Sequence, residues 1–179
     1  MTIIRSARLE LVSMSADFIE ALVEGRREEA SRLLGACLPD GWPEAHDERF
    51  LRMRLRQLQR NTAAQGWPVR ALVLPEPGRP MVGHAGFHGP PGVNGAKNPE
   101  AVELGYTVFP PYRGNGYAAE AAGALMSWAL AEHGVRHFVA SVAPGNEPSL
   151  AIVRKLGFVQ TGEQWDDEDG LELVFQLTP

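Results

Sequence analysis

The chain predicts an α/β fold in which antiparallel strands come first and a strand–helix–strand–helix–strand unit follows. Three observations carry this. Residues 69–88 hold two short apolar runs around the Pro- and Gly-rich turn at 75–80, the pattern of a hairpin. Residues 117–133 are rich in Ala and Leu, and Ala118, Ala121, Ala122, Leu125 and Ala129 fall on one helical stripe. Beyond Gly134 the runs of strand and helix character alternate.

Each element has its own signal. Residues 7–13 read as a strand, with Leu9 and Leu11 on one face. Ser15 or Asp17 is placed to cap a helix carrying Phe18, Leu22 and Val23. Residues 45–59 space Phe50, Leu51, Met53, Leu55 and Leu58 among arginines, which predicts an amphipathic helix with a solvated arginine face. Strands are predicted at 69–74, 81–88 and 102–109, with a loop at 90–99 and Pro110-Pro111 as a stop. Gly134 ends the long helix. A strand follows at 138–142, then a helix capped by Asn146, with Pro148 in its first turn and Gly157 at its end. Strands at 159–164 and 171–177 flank the acidic turn 166–170, read as solvated.

At 179 residues the sequence suits a single domain, 1–179, and 44% hydrophobic residues suffice for a core. Cys37 is the one cysteine, so an intramolecular disulfide and a cysteine-rich zinc site are excluded. That usage fits a reducing, cytoplasmic setting. The net charge of −5 argues against a nucleic-acid partner and is compatible with a cationic substrate. Residues 1–10 carry no secretory pattern, and no run approaches the roughly 20 apolar residues of a membrane helix, so no membrane partner is expected. His84 and His88 share a strand face, and His133 and His137 are separated by Gly134; neither pair has the supporting ligands of a metal site, and no metal is expected. Trp128 is assigned to the core, and Trp42 and Trp67 to either core or cleft.

The chemistry-bearing segment runs from Glu103 to Ala118: a strand, a short loop containing Arg113, Gly114, Asn115 and Gly116, and a helix that opens at Tyr117. Glycines let a ligand approach the backbone, and the first amides of a helix have no internal partners and favour an anion. Arg113 adds positive charge there. The site therefore suits a phosphate or pyrophosphate. Gly114, Gly116 and Ala119 also match the G-x-G-x-x-G/A dinucleotide fingerprint, but the next strand ends Ser141-Val142-Ala143-Pro144 without the acidic residue that grips a ribose.

Arg113-x-x-Gly116-x-Ala118 resembles the coenzyme A signature of the GNAT acetyltransferase superfamily, and Asn146-x-x-Ser149 followed by Lys155-Leu-Gly-Phe158 resembles its second half. Glu103-Leu-Gly-Tyr106 and Tyr112-Arg-Gly-Asn-Gly-Tyr-Ala118 are most similar to the RimJ/RimL-type branch, as is, more weakly, Arg8-Leu-Glu-Leu11. The resemblance implies a GNAT-like α/β (α+β) domain: a mixed, mostly antiparallel sheet, splayed to admit acetyl-CoA and flanked by helices. It implies that backbone groups of Tyr106, Thr107 and Val108 bind the pantetheine arm. Amides from Arg113 through Gly114, Asn115, Gly116 and Tyr117 to Ala118 would cradle the pyrophosphate, with Asn146 touching the arm and Ser149 near the sulfur. Many relatives place a tyrosine as general acid where this chain has Ser149.

Acetyl transfer to an amine needs a proton acceptor, because an ammonium of pKa about 8 to 10 is no nucleophile. Glu103 is the base candidate, directly or through water, and Ser149 the acid candidate. The expected reaction is direct attack of an amine, either a peptide N-terminal α-amine or a small molecule, on acetyl-CoA in a ternary complex. A second copy of the chain is admitted as a homodimer partner. Two other readings compete: a non-catalytic acyl-CoA-binding or regulatory domain, and a dinucleotide-binding oxidoreductase module.

Overall fold

The computed structural model describes residues 2–60, 67–94, 98–167 and 170–178. Its elements in chain order are β1 (Ile3–Arg5), β2 (Glu10–Ser13), α1 (Ala16–Val23), α2 (Arg27–Leu34), α3 (Ala45–Arg60), β3 (Arg70–Val73), β4 (Met81–Phe87), β5 (Ala101–Val108), α4 (Tyr117–His133), β6 (His137–Val142), α5 (Glu147–Lys155), β7 (Val159–Asp166) and β8 (Gly170–Leu177). One eight-stranded sheet runs in the order β1-β2-β3-β4-β5-β6-β8-β7. Every pairing among these strands is antiparallel except β5–β6. Among the described residues there is therefore no doubly wound parallel sheet of the dinucleotide-fold kind.

The N-terminal strand predicted at 7–13 is two strands. Ser6 breaks it: its amide donates to the Leu9 carbonyl at 3.0 Å, and its hydroxyl accepts from the Leu9 amide at 3.1 Å, which turns the chain so that β1 folds back on β2. Leu9 and Leu11 nonetheless face the same core. Ser15 is the cap of α1, its hydroxyl accepting from the Phe18 amide. Helix α2 is not among the elements expected from the sequence; it is only eight residues long and half charged, and it buries Ala30 and Leu34. It ends at Gly35, which takes the left-handed conformation at φ 69°.

Each face of the sheet has its own core. Helices α4 and α5 cover one face, where Ala121, Leu125, Leu150 and Val153 meet Leu72, Phe87, Leu104 and Phe138. Helices α1, α2 and α3 cover the other, where Phe18, Ile19, Leu34 and Leu51 meet Val12, Ala71, Val73 and Met81. The arginine face of α3 is solvated with one departure. Arg54 is buried and donates to the carbonyls of Phe87 at 3.0 Å and His88 at 2.8 Å, and burial lowers its pKa to about 10.

β5 and β6 are the pair that positions the site. They are in register only from Ala101↔His137 to Glu103↔Val139. Past Glu103 they part, and β5 continues alone against β4 to Val108. A sheet interrupted there leaves strand-edge backbone groups without partners. Among the described residues no helix is long and apolar enough to cross a membrane.

Candidate active site

The gap between β5 and β6 opens into a cavity of about 740 Å³. Its walls are Tyr106, Thr107 and Val108 of β5, the loop and first turn from Arg113 to Ala119, and Asn146, Ser149 and Ile152 of α5. The alternation of an antiparallel ladder decides which peptide groups face it. The His88 amide donates to the Glu103 carbonyl at 2.8 Å, and the Phe109 amide donates to the Val82 carbonyl at 2.9 Å. With the register between them unbroken, Gly105 and Thr107 spend their peptide groups on β4, while Leu104, Tyr106 and Val108 turn theirs toward the gap. Thr107 thus lines the cavity, but its backbone is already paired.

The loop that follows is built to leave amides bare. A 3-10 turn at Pro110–Tyr112 swings the chain away from β5, and Gly114 and Gly116 take φ of 78° and 79°, a region costly for side-chain-bearing residues. The Asn115 side chain ties the loop by donating to the Tyr112 and Arg113 carbonyls. The amides from Gly114 to Ala119 find no acceptor among the described residues; the first helical bond at this end is Glu120 N–H to the Gly116 carbonyl. A Cβ at Gly114 would meet nothing within 4 Å, so the loop is open to a ligand. These features fit a diphosphate-bearing acyl donor.

Arg113 is exposed, and its Nε donates to the Val108 carbonyl at 3.0 Å, which closes the end of β5. A second cation, Arg8, lies beside the same loop. Its guanidinium sits 4.9 Å above the Tyr117 ring and 3.6 Å from where a Cβ at position 116 would stand. Glu120 fixes it, accepting from the Arg8 amide, the Arg8 Nε and the Ser6 hydroxyl, each at 2.7 Å. Burial works against the charged Glu120 carboxylate, but those hydrogen bonds outweigh it and hold its pKa below the ordinary value.

Asn146 caps α5, its Oδ1 accepting from the Ser149 amide at 3.2 Å. Ser149 is half-buried on the cavity wall. Opposite it stands the Tyr106 phenol. Burial raises the Tyr106 pKa and the Ser149 hydroxyl opposes that rise, although their contact falls short of a well-formed hydrogen bond.

On the other face of β5, beneath α3, a second cavity of about 320 Å³ is walled by His46, Asp47, Phe50, His84, His88, Gly105 and Thr107. His84 is 9% exposed and stacks on Phe50, with ring centroids 5.6 Å apart. Its Nε2 has no hydrogen bond and lies 3.7 Å from Asp47 Oδ1, the separation of an ion pair. His84, and then burial opposing it, set the Asp47 carboxyl, which stays below the ordinary carboxylate range. Asp47 and Thr107 also line a neighbouring groove of about 650 Å³ with Asp40, Glu44 and Trp42. Arg27 holds that wall by donating to the carbonyls of Pro39, at 2.7 Å, and of Trp42. Trp42 is thus both core and groove wall.

Glu103, at 3% exposure, lines neither cavity. Its Oε1 accepts from the Ser141 hydroxyl at 2.6 Å, and its Oε2 lies 3.2 Å from His88 Nδ1. The structure thus splits the predicted residues into two groups. Tyr106 to Val108, Arg113 to Ala118, Asn146 and Ser149 gather on the gap, whereas Glu103 stands on the opposite face. Sequence reasoning missed Arg8, Asp47 and Ser141, and weighed His84 and His88 only as metal ligands. Their i, i+4 spacing on a strand was the available signal, since it puts both on the face of Glu103 and Thr107.

The sequence profile described as Acetyltransferase (GNAT) domain matches residues 8–159. The chain belongs to the GNAT acetyltransferase family. Among solved structures it is similar to a GnaT-family acetyltransferase of Bordetella pertussis, with TM-score 0.70 and 24% identity over 99% of this chain and 100% of that one. It is also similar to the ribosomal-protein α-N-acetyltransferase RimL in complex with coenzyme A, with TM-score 0.66 and 18% identity over 99% and 98% of the two chains. At these identities the likeness is one of fold. An N-acetyltransferase of Bacillus subtilis, YnaD, is 31% identical over 75 residues, 37% of this chain and 44% of the relative. The chain therefore spans less than half the length of that curated relative.

Proposed function

We propose that this GNAT-family chain moves an acetyl group from acetyl-CoA to a primary amine by direct attack in a ternary complex. The observation that supports this most is the parting of β5 from β6 beside a loop whose amides from Gly114 to Ala119 have no acceptor among the described residues. A pantetheine arm completes the edge of β5 through the peptide groups of Tyr106 and the amide of Val108. The diphosphate takes the loop amides, with Arg8 and Arg113 at hand. An amide of this edge also serves the oxyanion of the tetrahedral intermediate, where one preorganised donor is worth about 3 kcal/mol. Ser149, which lines the same cavity, protonates the leaving thiolate. The base function comes from the other face, through Glu103 and the groups beside it.

The acceptor enters beneath α3. Asp40, Glu44 and Asp47 give that side an acidic character suited to an ammonium, and the groove is open enough for a peptide N-terminus. A protein α-amine is the acceptor we favour, consistent with the likeness to RimL, and small-molecule amines are the alternative. The test is thiol release from acetyl-CoA against a panel of N-terminal peptides and small amines. Amine-dependent release is expected, together with loss of acetyl-CoA binding in Gly116→Glu. Acetyl-CoA binding without turnover on any amine would turn the reading into that of a binding domain.

A further inference from the structure

We propose that His88, rather than Glu103 itself, takes the proton from the acceptor amine, and that Glu103 is the positioning residue behind it; this deepens the acetyl-transfer reading and rests on it. The carboxylate of Glu103 is sealed from the acceptor cavity, and both of its oxygens have neighbours, Ser141 on one side and His88 on the other. His88 stands where Glu103 cannot reach. Its side chain is 38% exposed, and it lines the cavity beneath α3.

The backbone of His88 is pinned from two directions. Its amide donates to the Glu103 carbonyl at 2.8 Å, and its carbonyl accepts from Arg54 Nη1 at 2.8 Å. The ring lies over Gly105: a Cβ built there would stand 3.1 Å from His88 Nε2. Only a residue without a side chain leaves that nitrogen in place above the middle of β5. Nδ1 lies 3.2 Å from Glu103 Oε2, and a lone pair facing a carboxylate is repelled, so Nδ1 carries the hydrogen. The Asn94 amide also reaches Nδ1, at 3.3 Å, but the carboxylate is nearer and charged. Nε2 is left with its lone pair free, beside the strand along which the acyl donor lies. Behind Glu103 the chain of contacts continues: Gln164 Nε2 donates to the Ser141 hydroxyl at 3.0 Å, which fixes the hydroxyl that fixes the carboxylate.

The proton balance is complete without a further reactant. The substrate ammonium gives one proton to Nε2, which returns it to solvent. The amine lone pair then forms the C–N bond at the thioester carbon, and the C–S pair leaves on sulfur. Sulfur gains a proton through Ser149 as the new amide nitrogen loses one. The sum is ammonium plus thioester giving amide, thiol and one proton.

Two readouts on the full chain test this. In ¹⁵N-detected histidine spectra, His88 is expected as the Nδ1–H tautomer in the wild type and to lose that preference in Glu103→Gln; an Nε2–H tautomer in the wild type overturns the proposal. In turnover, His88→Ala is expected to lower kcat by about 100-fold or more, with acetyl-CoA binding unchanged and with added imidazole restoring rate. Glu103→Gln placed in the His88→Ala background is expected to cost nothing further. Should the alanine variant not fold, His88→Gln, which keeps a donor toward Glu103 but has no basic nitrogen, carries the same test. Full activity in either folded His88 variant, or an undiminished effect of Glu103→Gln in that background, overturns the proposal alone. A wild type that releases no thiol with any amine overturns the acetyl-transfer reading and this proposal with it.

Discussion

The two sides of β5 are made of different material. On the gap side the site is mostly backbone: bare amides from Gly114 to Ala119, the strand edge at Tyr106 and the Val108 amide, and two glycines with positive φ. On the α3 side it is mostly side chain: Asp47, His84 and His88 over a buried Glu103. A backbone site recognises what all its ligands share, the diphosphate and the amides of the arm, and asks little of residue identity beyond glycine. A side-chain site recognises charge and shape, and can be changed one residue at a time without disturbing the other.

Gly83 lies on the seam both sides share, and it gives the largest expected effect. A Cβ there would stand 2.2 Å from the Thr107 carbonyl oxygen, a backbone atom that cannot step aside. Gly83→Ala should cost about 3 kcal/mol or more and lower the melting temperature strongly, with both functions lost together. Next comes Gly116→Glu, which adds left-handed strain and a negative charge at the phosphate amides. Acetyl-CoA affinity should fall about 100-fold by calorimetry, while the α3 side is unaffected. Asp47→Asn should do the reverse, raising the KM for a cationic acceptor about 10-fold and leaving acetyl-CoA affinity unchanged. Equal damage to both substrates from either variant would break the division.

The smallest effect concerns the anchor of Arg8. Glu120→Gln should lower stability by about 1 kcal/mol near neutral pH. The Glu120 pKa is depressed by its partners, so the stability it provides is present above the ordinary carboxylate value, about pH 4, and is lost as the pH falls through the depressed value. Wild type and variant should therefore converge in denaturant titrations at low pH. A difference that persists there would mean that the contact acts through packing rather than charge.

That contrast also sets how much was legible in the sequence. The gap side was, because glycines, a capping asparagine and a strand-to-helix junction are local signals, and Gly114, Gly116 and Asn146 announce their own backbone geometry. The strand order was not local. The alternation of Leu9 and Leu11 marks β2 alone, and the turn that Ser6 makes by hydrogen bonding, which folds β1 back on it, leaves no mark on the periodicity. The α3 side was hardly visible. The motif points to Glu103, but its partners are His88, just past β4, and Ser141 of β6, which only the strand register brings together. Arg54 shows the same limit, since its place in an arginine-rich helix marks it as solvated, and the Phe87 and His88 carbonyls, with the Gln57 side-chain oxygen, make its burial tolerable.

The claim on which the rest stands is that the acyl donor is held by backbone groups in the gap. Amide hydrogen exchange and ¹H–¹⁵N shifts during titration with acetyl-CoA address it residue by residue. Slowed exchange and large shifts are expected at Tyr106, Val108 and Gly114 to Ala118, with little change at Asp47 and His84. Protection confined to the α3 side, with the loop amides exchanging as fast as before, would contradict it.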